Sequence, residues 1–587
     1  MKSKHSANGV SVKAYSGDAM ALLAFDLDKS LLNNFAGFSI KVQYDTNNGY
    51  FIFNRLTFDP NKIKVPQKKN DNPITTEFSP IQKFNWIYVP STSHNLKKTF
   101  YGDYNFEVTP RYLIDNELQP LDSSLTVKTT IKITPFRKGD LTLGFTRGFV
   151  ASQAYVDHFG MNNAVRPNEK DLIFDLGEKS GPAPKEKNEK IKAYTYEDQF
   201  KWMGWQARQR IYELLDKAVK DKTLTLDIFA YDLDEPYICE QLLALASEGR
   251  VRIILDNASL HTGKDRKGNV QFEDKFAKLF SKQAKNAGDL VRGRFKRFSH
   301  SKVFIQKRNG IAEKVLAGST NFSTNGLYIN ANHVIIFENK KIAATYDEVF
   351  ENSFGTDKMK TFAKSDTATQ AYDFSKEKNI PAITIRFSPH NKAFAEDEIN
   401  EIAQKVIDAK SDVLFAVMND TTGSGELLKQ IREAHKRTDI FTYGIVDSSK
   451  DVTLYKPGKL NGVRVAGKGI GSKLPPPFKE ENKTPGISVH HKFVVVDFKG
   501  KNPVVYCGSS NLAQLAESEN GDNLIEIRDK DVVTAFAIEA MRLIDHYHFR
   551  NRVQKEDSIY LQTTEWYKPH YDPQDLRNLQ RKLLAKD

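Results

Sequence analysis

From residue 10 to 165 apolar and polar positions alternate in short runs broken by turn residues, the period of two expected of strands with one buried face. Residues 41–44, the turn Asp45-Thr46-Asn47-Asn48-Gly49 and residues 50–58 predict a hairpin, because Asn-Gly supplies the positive φ that a tight loop requires. Further strands are predicted at 84–89, 104–111, 125–134 and 141–145, with no long amphipathic helix among them. This spacing predicts an all-β sandwich over residues 1–165, an accessory domain without a catalytic cluster.

The pattern then changes. Residues 178–190, EKSGPAPKEKNEK, are too polar to bury and carry two prolines, so 166–194 is expected to be a linker. Beyond it helical periods alternate with short apolar runs, and the series occurs twice. A helix at 205–220, a strand at 224–231, a helix at 237–248 and a strand at 251–256 are matched by a helix at 398–410, a strand at 413–418, a helix at 425–436 and a strand at 440–446. FSHSKVFIQ, LAGSTNFS and ANHVIIFE in the first copy answer SVHHKFVVVD, YCGSSNLA and GDNLIEIR in the second, each series ending in a helix, 342–350 and 532–543. The chain is therefore expected to hold two α/β halves, 195–375 and 376–550, followed by a helical tail at 551–587. A pseudo-twofold axis between the halves would build one site at their junction.

Composition narrows the picture. At 587 residues the chain is too long for one core, and its 40% hydrophobic content excludes global disorder. Lys and Arg outnumber Asp and Glu by 86 to 74, a net charge of +12 that favours polyanionic partners such as nucleic acid or anionic lipid, or simply solubility. Two cysteines, Cys239 and Cys507, support neither a disulfide framework nor a cysteine-based zinc site, and no metal or cofactor is expected. The basic N-terminus leads into no long apolar segment, and no run of about 20 apolar residues could span a bilayer. A cytoplasmic location is the expectation, with export by a route that reads no N-terminal signal as the alternative.

Each copy contains H-x-K followed by G-S-x-N: His300, Lys302, Gly318, Ser319 and Asn321, then His490, Lys492, Gly508, Ser509 and Asn511. Residues i and i+2 of a strand share a face, so each His and its Lys project together. The Gly-Ser turn can add a hydroxyl and an amide donor at the same phosphate oxygens. Joined by the twofold, the copies would place two imidazoles on opposite sides of a phosphorus held by Lys302, Lys492, Asn321 and Asn511, with Ser319 and Ser509 as further binding groups. Such a site suits in-line displacement without a metal.

These residues resemble the phospholipase D superfamily, whose signature is H-x-K-(x)4-D with a downstream G-S-x-N, twice per active site; the likeness covers about 195–550. It implies a duplicated mixed-sheet α/β core, and a phosphodiesterase that works through a covalent phosphohistidine with the second histidine as general acid. The second copy supplies Asp497 where the signature asks for Asp; the first has Lys307 instead. The family resemblance makes that Asp a supporting residue, so its loss bears on local stability. Fourteen residues after each motif Gly stand Asn332 and Asp522, a position that often holds the histidine ring in this superfamily. A carboxylate favours a protonated imidazole, so His300, oriented by Asn332, is expected to be the nucleophile, and His490, paired with Asp522, the more basic acid and later base. The tyrosyl-DNA phosphodiesterase branch looks similarly asymmetric. His491 and His333, strand neighbours of site residues, are read as structural.

The run RGRFKRFSHSK carries Arg292, Arg294, Lys296 and Arg297 interleaved with Phe295 and Phe298, and no acid. Cations that track phosphates and rings that stack on bases suit single-stranded nucleic acid, so Arg294, Lys296 and Arg297 are candidate substrate contacts. A solvated edge strand with core Phe residues is the alternative. The Gly-rich stretch 466–473 lacks P-loop spacing and, with the prolines at 475–477, predicts a rim loop. Three functions remain: a metal-independent nuclease, a phospholipase D with the sandwich as membrane-targeting module, and an inactive scaffold. The nuclease is favoured by the basic run; the lipase lacks clustered loop aspartates beyond Asp26 and Asp28.

Overall fold

The structure is a computed structural model that describes residues 2–45, 49–54, 56–66, 74–90, 99–148, 155, 159, 164–180, 194–418, 425–446, 453–466, 489–553 and 560–586. The tip of the first hairpin, residues 181–193 of the expected linker and the Gly-rich rim loop with its prolines lie outside the described residues.

The first 133 residues form the expected sandwich. One antiparallel sheet orders Lys2–Ala7, Val10–Ser16, Ala21–Leu27 and Asn85–Tyr88; the other joins Tyr50–Phe51, Phe35–Tyr44, Gly102–Ile114, Glu117–Leu118 and Val127–Ile133. Phe25, Phe38, Phe84, Tyr104 and Phe106 fill the space between them. The second arm of the hairpin is shorter than the expected 50–58: among the described residues Tyr50 pairs with Val42 and Phe51 with Lys41, and the Ile52 amide donates to the Ile40 carbonyl.

The sandwich ends earlier than the expected residue 165. Arg137–Lys138 and Leu141–Phe145 leave it to become edge strands of the first α/β sheet, Leu141–Phe145 pairing antiparallel with His333–Phe337. Burial explains the difference. Val127–Ile133 alternates strictly between buried and exposed, as a one-faced strand does, whereas all five residues of Leu141–Phe145 are buried. A strand buried on both faces belongs in a sheet covered on both sides. The first half therefore begins near 137, well before the expected 195.

That sheet has eight strands, in the order Arg137–Lys138, Leu141–Phe145, His333–Phe337, Ile311–Gly318, Val303–Arg308, Leu224–Ala230, Val251–Leu255 and Leu290–Arg292. The second half repeats it with Tyr372–Asp373, Ala382–Ser388, Asp522–Arg528, Val504–Gly508, Phe493–Val496, Asp412–Val417, Phe441–Val446 and Val463–Ala466. Both sheets are mixed: Leu224–Ala230 runs parallel to Val251–Leu255 and antiparallel to Val303–Arg308, and the second copy does the same. Helices Tyr196–Lys220, Pro236–Ser247 and Phe272–Gln283 cover the outer face of the first sheet, and Lys392–Ile407 and Glu426–Ala434 that of the second. The inner faces share one core with helices Lys340–Glu351 and Lys530–Val553, where Ile305, Ala317, Phe350, Val495, Ile525 and Phe536 meet. The duplicated mixed-sheet α/β core with its N-terminal all-β sandwich is thus the fold. Helix Leu576–Ala585 closes the chain against the sandwich: Tyr15 Oη donates to the Leu584 carbonyl at 2.6 Å, and Trp566 Nε1 to the Phe35 carbonyl at 3.0 Å. Among the described residues no helix is long and apolar enough to cross a membrane.

Candidate active site

The two H-x-K motifs lie at equivalent places, in the extended segments that lead into the central strands Val303–Arg308 and Phe493–Val496. They were expected within those strands. The backbone just before each strand is instead bonded to the opposite half: the Arg297 amide donates to the Glu519 carbonyl at 2.9 Å, His300 to Gly521 at 2.9 Å and Gly521 back to Phe298 at 2.8 Å, while Val489 bridges to Ala331. Gly521 is required there, because a Cβ would lie 2.1 Å from the Phe295 ring.

These cross-half bonds bring the motifs to one place and also exchange their partners. His300 Nδ1 lies 2.7 Å from Asp522 Oδ1, and His490 Nδ1 lies 2.9 Å from Asn332 Oδ1 and 3.1 Å from the Ser319 carbonyl. The expected pairs, His300 with Asn332 and His490 with Asp522, are therefore corrected. Each of those pairs falls within one copy, and the twofold hands each ring-holding residue to the histidine of the other half. The carbonyl of Ser319 can only accept, so Nδ1 of His490 carries a proton and Nε2 is the atom left for chemistry.

Burial dominates the protonation of the site. It draws His300 down to about 4, against the pull of the Asp522 charge, and drives His490 well below the ordinary imidazole range, with Lys492 and Lys302 adding to the effect. The carboxylate that favours a protonated ring stands beside His300, the reverse of the expectation. Burial works to raise Asp522, but His300 and Lys302 outweigh it and hold the carboxyl below its usual value. An ionised Asp522 accepting from a neutral His300 follows.

Lys302 and Lys492 are almost fully buried, 1% and 0% exposed, and each Nζ donates to the carbonyl of its own motif histidine. Lys302 also sits over the Tyr231 ring, 4.6 Å from its centroid, and Lys492 lies 3.4 Å from Met418 Sδ. Burial pulls Lys302 down to about 7. Asn321 Nδ2 donates to Asp232 at 3.2 Å. The Oδ1 atoms of Asn321 and Asn511 are buried without a hydrogen bond among the described residues.

Ser319 and Ser509, expected to touch phosphate, stand one layer back. Ser319 Oγ donates to Asn332 Oδ1 at 2.8 Å and accepts from the His333 amide; Ser509 Oγ accepts from the Asn523 amide and supports the Asp522 carboxylate. Each serine fixes the residue that fixes a histidine. Of the basic run, Arg294 and Lys296 are exposed and Arg297 is half-buried over the Phe298 ring. Lys296 pairs with Glu519 at 2.8 Å. Phe295 is core, packed on Phe362, and is not a stacking platform.

Lys307 explains its own departure from the signature. It pairs with Asp227 at 2.7 Å and Asp347 at 2.5 Å, beside a bidentate Arg252–Asp227 pair. Asp497 takes up the backbone amides of Lys410 and Ser411, both at 2.8 Å. Neither residue belongs to the reaction space. His333 and His491 stack on one another with ring centroids 5.5 Å apart, fully buried, and His491 Nε2 reaches Glu539 at 3.1 Å.

Tyr231, Asp232 and Met418 were not singled out in the sequence. The Tyr231 ring meets His300 edge to face at 4.5 Å. Aligning the ends of strands Leu224–Ala230 and Asp412–Val417 pairs Tyr231 with Met418, so the duplication itself held the signal. Asp232, pushed up to about 7 by burial and by Asp234 and Glu273, also forms with His261 and Glu273 a group able to hold a metal ion.

Residues 211–354, which contain the first H-x-K and G-S-x-N, match the family described as cardiolipin synthase, PLD-like domain. This stretch is phospholipase D-like. No curated protein sequence matches the chain. Among solved structures it is similar to polyphosphate kinase from Porphyromonas gingivalis (12% identity, 59% of this chain and 48% of that one, TM-score 0.37). It is also similar to phosphatidylserine synthase from Haemophilus influenzae Rd KW20 (11%, 65% and 90%, 0.41) and to Nuc, a phospholipase D family member from Salmonella typhimurium (19%, 24% and 84%, 0.18). The phospholipase D-like chain thus spans about half the length of the polyphosphate kinase.

Proposed function

We propose that this protein is a phosphodiesterase that cleaves nucleic acid through a covalent phosphohistidine, without a metal at phosphorus. The crossed pairing carries the reading: both H-x-K motifs meet at one site, one imidazole against a carboxylate and the other against neutral acceptors. A nucleophilic imidazole gains a positive charge when its nitrogen bonds phosphorus, and a general acid loses one. Only interactions stronger in the transition state accelerate a step, so the anion belongs beside the nucleophile. His300 Nε2 attacks phosphorus while Nδ1–H stays bonded to Asp522, and the phosphorus–oxygen bond to the leaving group breaks. The anionic diester, on entering, favours the imidazolium of His490, which takes up a proton from solvent at Nε2 and delivers it to that oxygen while Nδ1–H stays bonded to Ser319 and Asn332. Water then attacks the phosphohistidine, His490 takes its proton, and the monoester product and free His300 are released. Lys302, Lys492, Asn321 and Asn511 hold the non-bridging oxygens. The roles are those expected from the sequence, but the physical reason is reversed.

Exposed Arg294 and Lys296, six and four residues before His300, and the net charge of +12 support a polyanionic substrate. The description of the matched family supports a second reading, phospholipid headgroup chemistry.

The test uses a p-nitrophenyl diester, whose leaving group needs no proton. His490→Asn should release one burst of nitrophenolate and stall, with phosphate mapped by mass spectrometry to His300; His300→Asn should give none. An adduct on His490 in the reciprocal variant would overturn the assignment. Single-stranded DNA, duplex DNA, RNA and liposomes of phosphatidylcholine or phosphatidylglycerol, each offered to the intact enzyme, decide the substrate class.

A further inference from the structure

Behind the Gly508–Asn511 turn, three side chains that play no part in the reaction aim their polar atoms at one another. His390 follows strand Ala382–Ser388, Glu398 lies in helix Lys392–Ile407, and Glu517 lies in helix Gln514–Glu519. They are 2%, 4% and 1% exposed, and their donor atoms all lie within 4.8 Å of one another. His390 Nε2 is 3.1 Å from Glu398 Oε2 and 3.9 Å from Glu517 Oε2. Neither that nitrogen nor either oxygen of Glu398 makes a hydrogen bond among the described residues.

The other ring nitrogen settles the orientation. His390 Nδ1 lies 2.5 Å from the Ala368 carbonyl, which can only accept, so Nδ1 carries a proton and Nε2 is the ring atom turned toward the two carboxylates. A backbone carbonyl holding Nδ1–H is the usual support of a metal-bound histidine. An imidazole nitrogen and two carboxylates gathered in a dry site need a proton or a metal cation between them. Arg386 reaches Glu398 at 3.4 Å and is shared with Glu401 and Glu526, the last also met by Arg528 at 3.3 Å, while among the described residues no Lys or Arg pairs with Glu517.

We propose that His390, Glu398 and Glu517 bind one divalent first-row transition-metal ion, zinc or manganese, as a structural site. Metal–ligand bonds of about 2.0–2.2 Å in a tetrahedron put ligands roughly 3.3–3.6 Å apart, between the two separations observed. Ser510 Oγ, hydrogen-bonded to Glu517, is a further oxygen at the site. The ion never touches phosphorus. It ties Ser510, next to Asn511, to the turn after Ser388, whose Oγ accepts from the Asp522 amide, and so braces both an oxygen-holding amide and the carboxylate of the nucleophile.

The full chain, produced with zinc and manganese in the medium, is passed over a gel-filtration column and its metal measured by plasma mass spectrometry. About one equivalent is expected, together with a fall in the melting temperature on treatment with dipicolinate. Glu398→Gln should lose at least nine-tenths of the metal, whereas Glu273→Gln, in the separate Asp232–His261–Glu273 group, should keep it. Less than a tenth of an equivalent in the native chain, or metal lost in Glu273→Gln, overturns the proposal. If Glu398→Gln fails to fold by circular dichroism, retention in Glu273→Gln still decides, because that variant leaves the proposed site intact.

Discussion

A carboxylate at Asp522 and an amide at Asn332 decide which imidazole can best carry a new positive charge. Asp522→Asn keeps an acceptor within reach of His300 Nδ1 but removes the charge and can fix the wrong tautomer, so kcat should fall by about 10²–10⁴-fold with little change in KM. Asn332→Asp should act on the other step, holding the proton on His490 and slowing poor leaving groups by roughly tenfold while sparing p-nitrophenolate; steady-state kinetics on an alkyl and a nitrophenyl diester separate the two. Lys302 gives the pH dependence. Burial lowers it to about 7 in the free site, so its charge is present below that value and lost above it. KM for a diester should rise by roughly tenfold per pH unit above 7, and Lys302→Arg, charged throughout, should flatten the profile. None of these partnerships could be read from spacing. Residues 300 and 522 are brought together by bonds such as that from the His300 amide to the Gly521 carbonyl, and no periodicity in either copy encodes them.

At the scale of the element, the sequence showed most where a pattern was local. The central strands, their order within each copy and the Gly-Ser turns follow from apolar runs and from the duplication. The origin of the first half did not, because Leu141–Phe145 is too short for its period to separate a one-faced strand from a fully buried one. The basic run illustrates a different limit: its alternation is real, with Arg294 and Lys296 exposed and Phe295 buried, but what Phe295 packs on is Phe362, beyond the reach of any local pattern. Lys307 is the most testable element-scale feature. Restoring the superfamily signature with Lys307→Asp would place a carboxylate against Asp227 and Asp347 in a partly buried pocket, and the loss of stability should be about 3–5 kcal/mol. Urea denaturation checks it. Turnover per folded molecule should be unchanged, since Lys307 holds the strand to helix Lys340–Glu351 and touches no reacting group.

At the scale of the molecule, duplication in one chain has a consequence for how the site is assembled. His300 depends on Asp522 and His490 on Asn332, so neither half contains a histidine together with its partner. The halves are also joined by the shared core that runs from Ile305 and Ala317 to Val495 and Ile525. Exchange of halves between two chains would have to expose that core, at about 25 cal/mol for each Å² of apolar surface, as well as break the backbone bonds between 297–300 and 519–521. Mixing His300→Ala with His490→Ala should therefore restore no activity over hours, even though an exchanged pair would contain one complete site. Activity that rises with the concentration of the mixture would show that the halves trade partners, and that the twofold forms between molecules as well as within one. Inactivity in the mixture, with each variant folded and melting near the native temperature, would fix the site as the product of a single chain closing on itself.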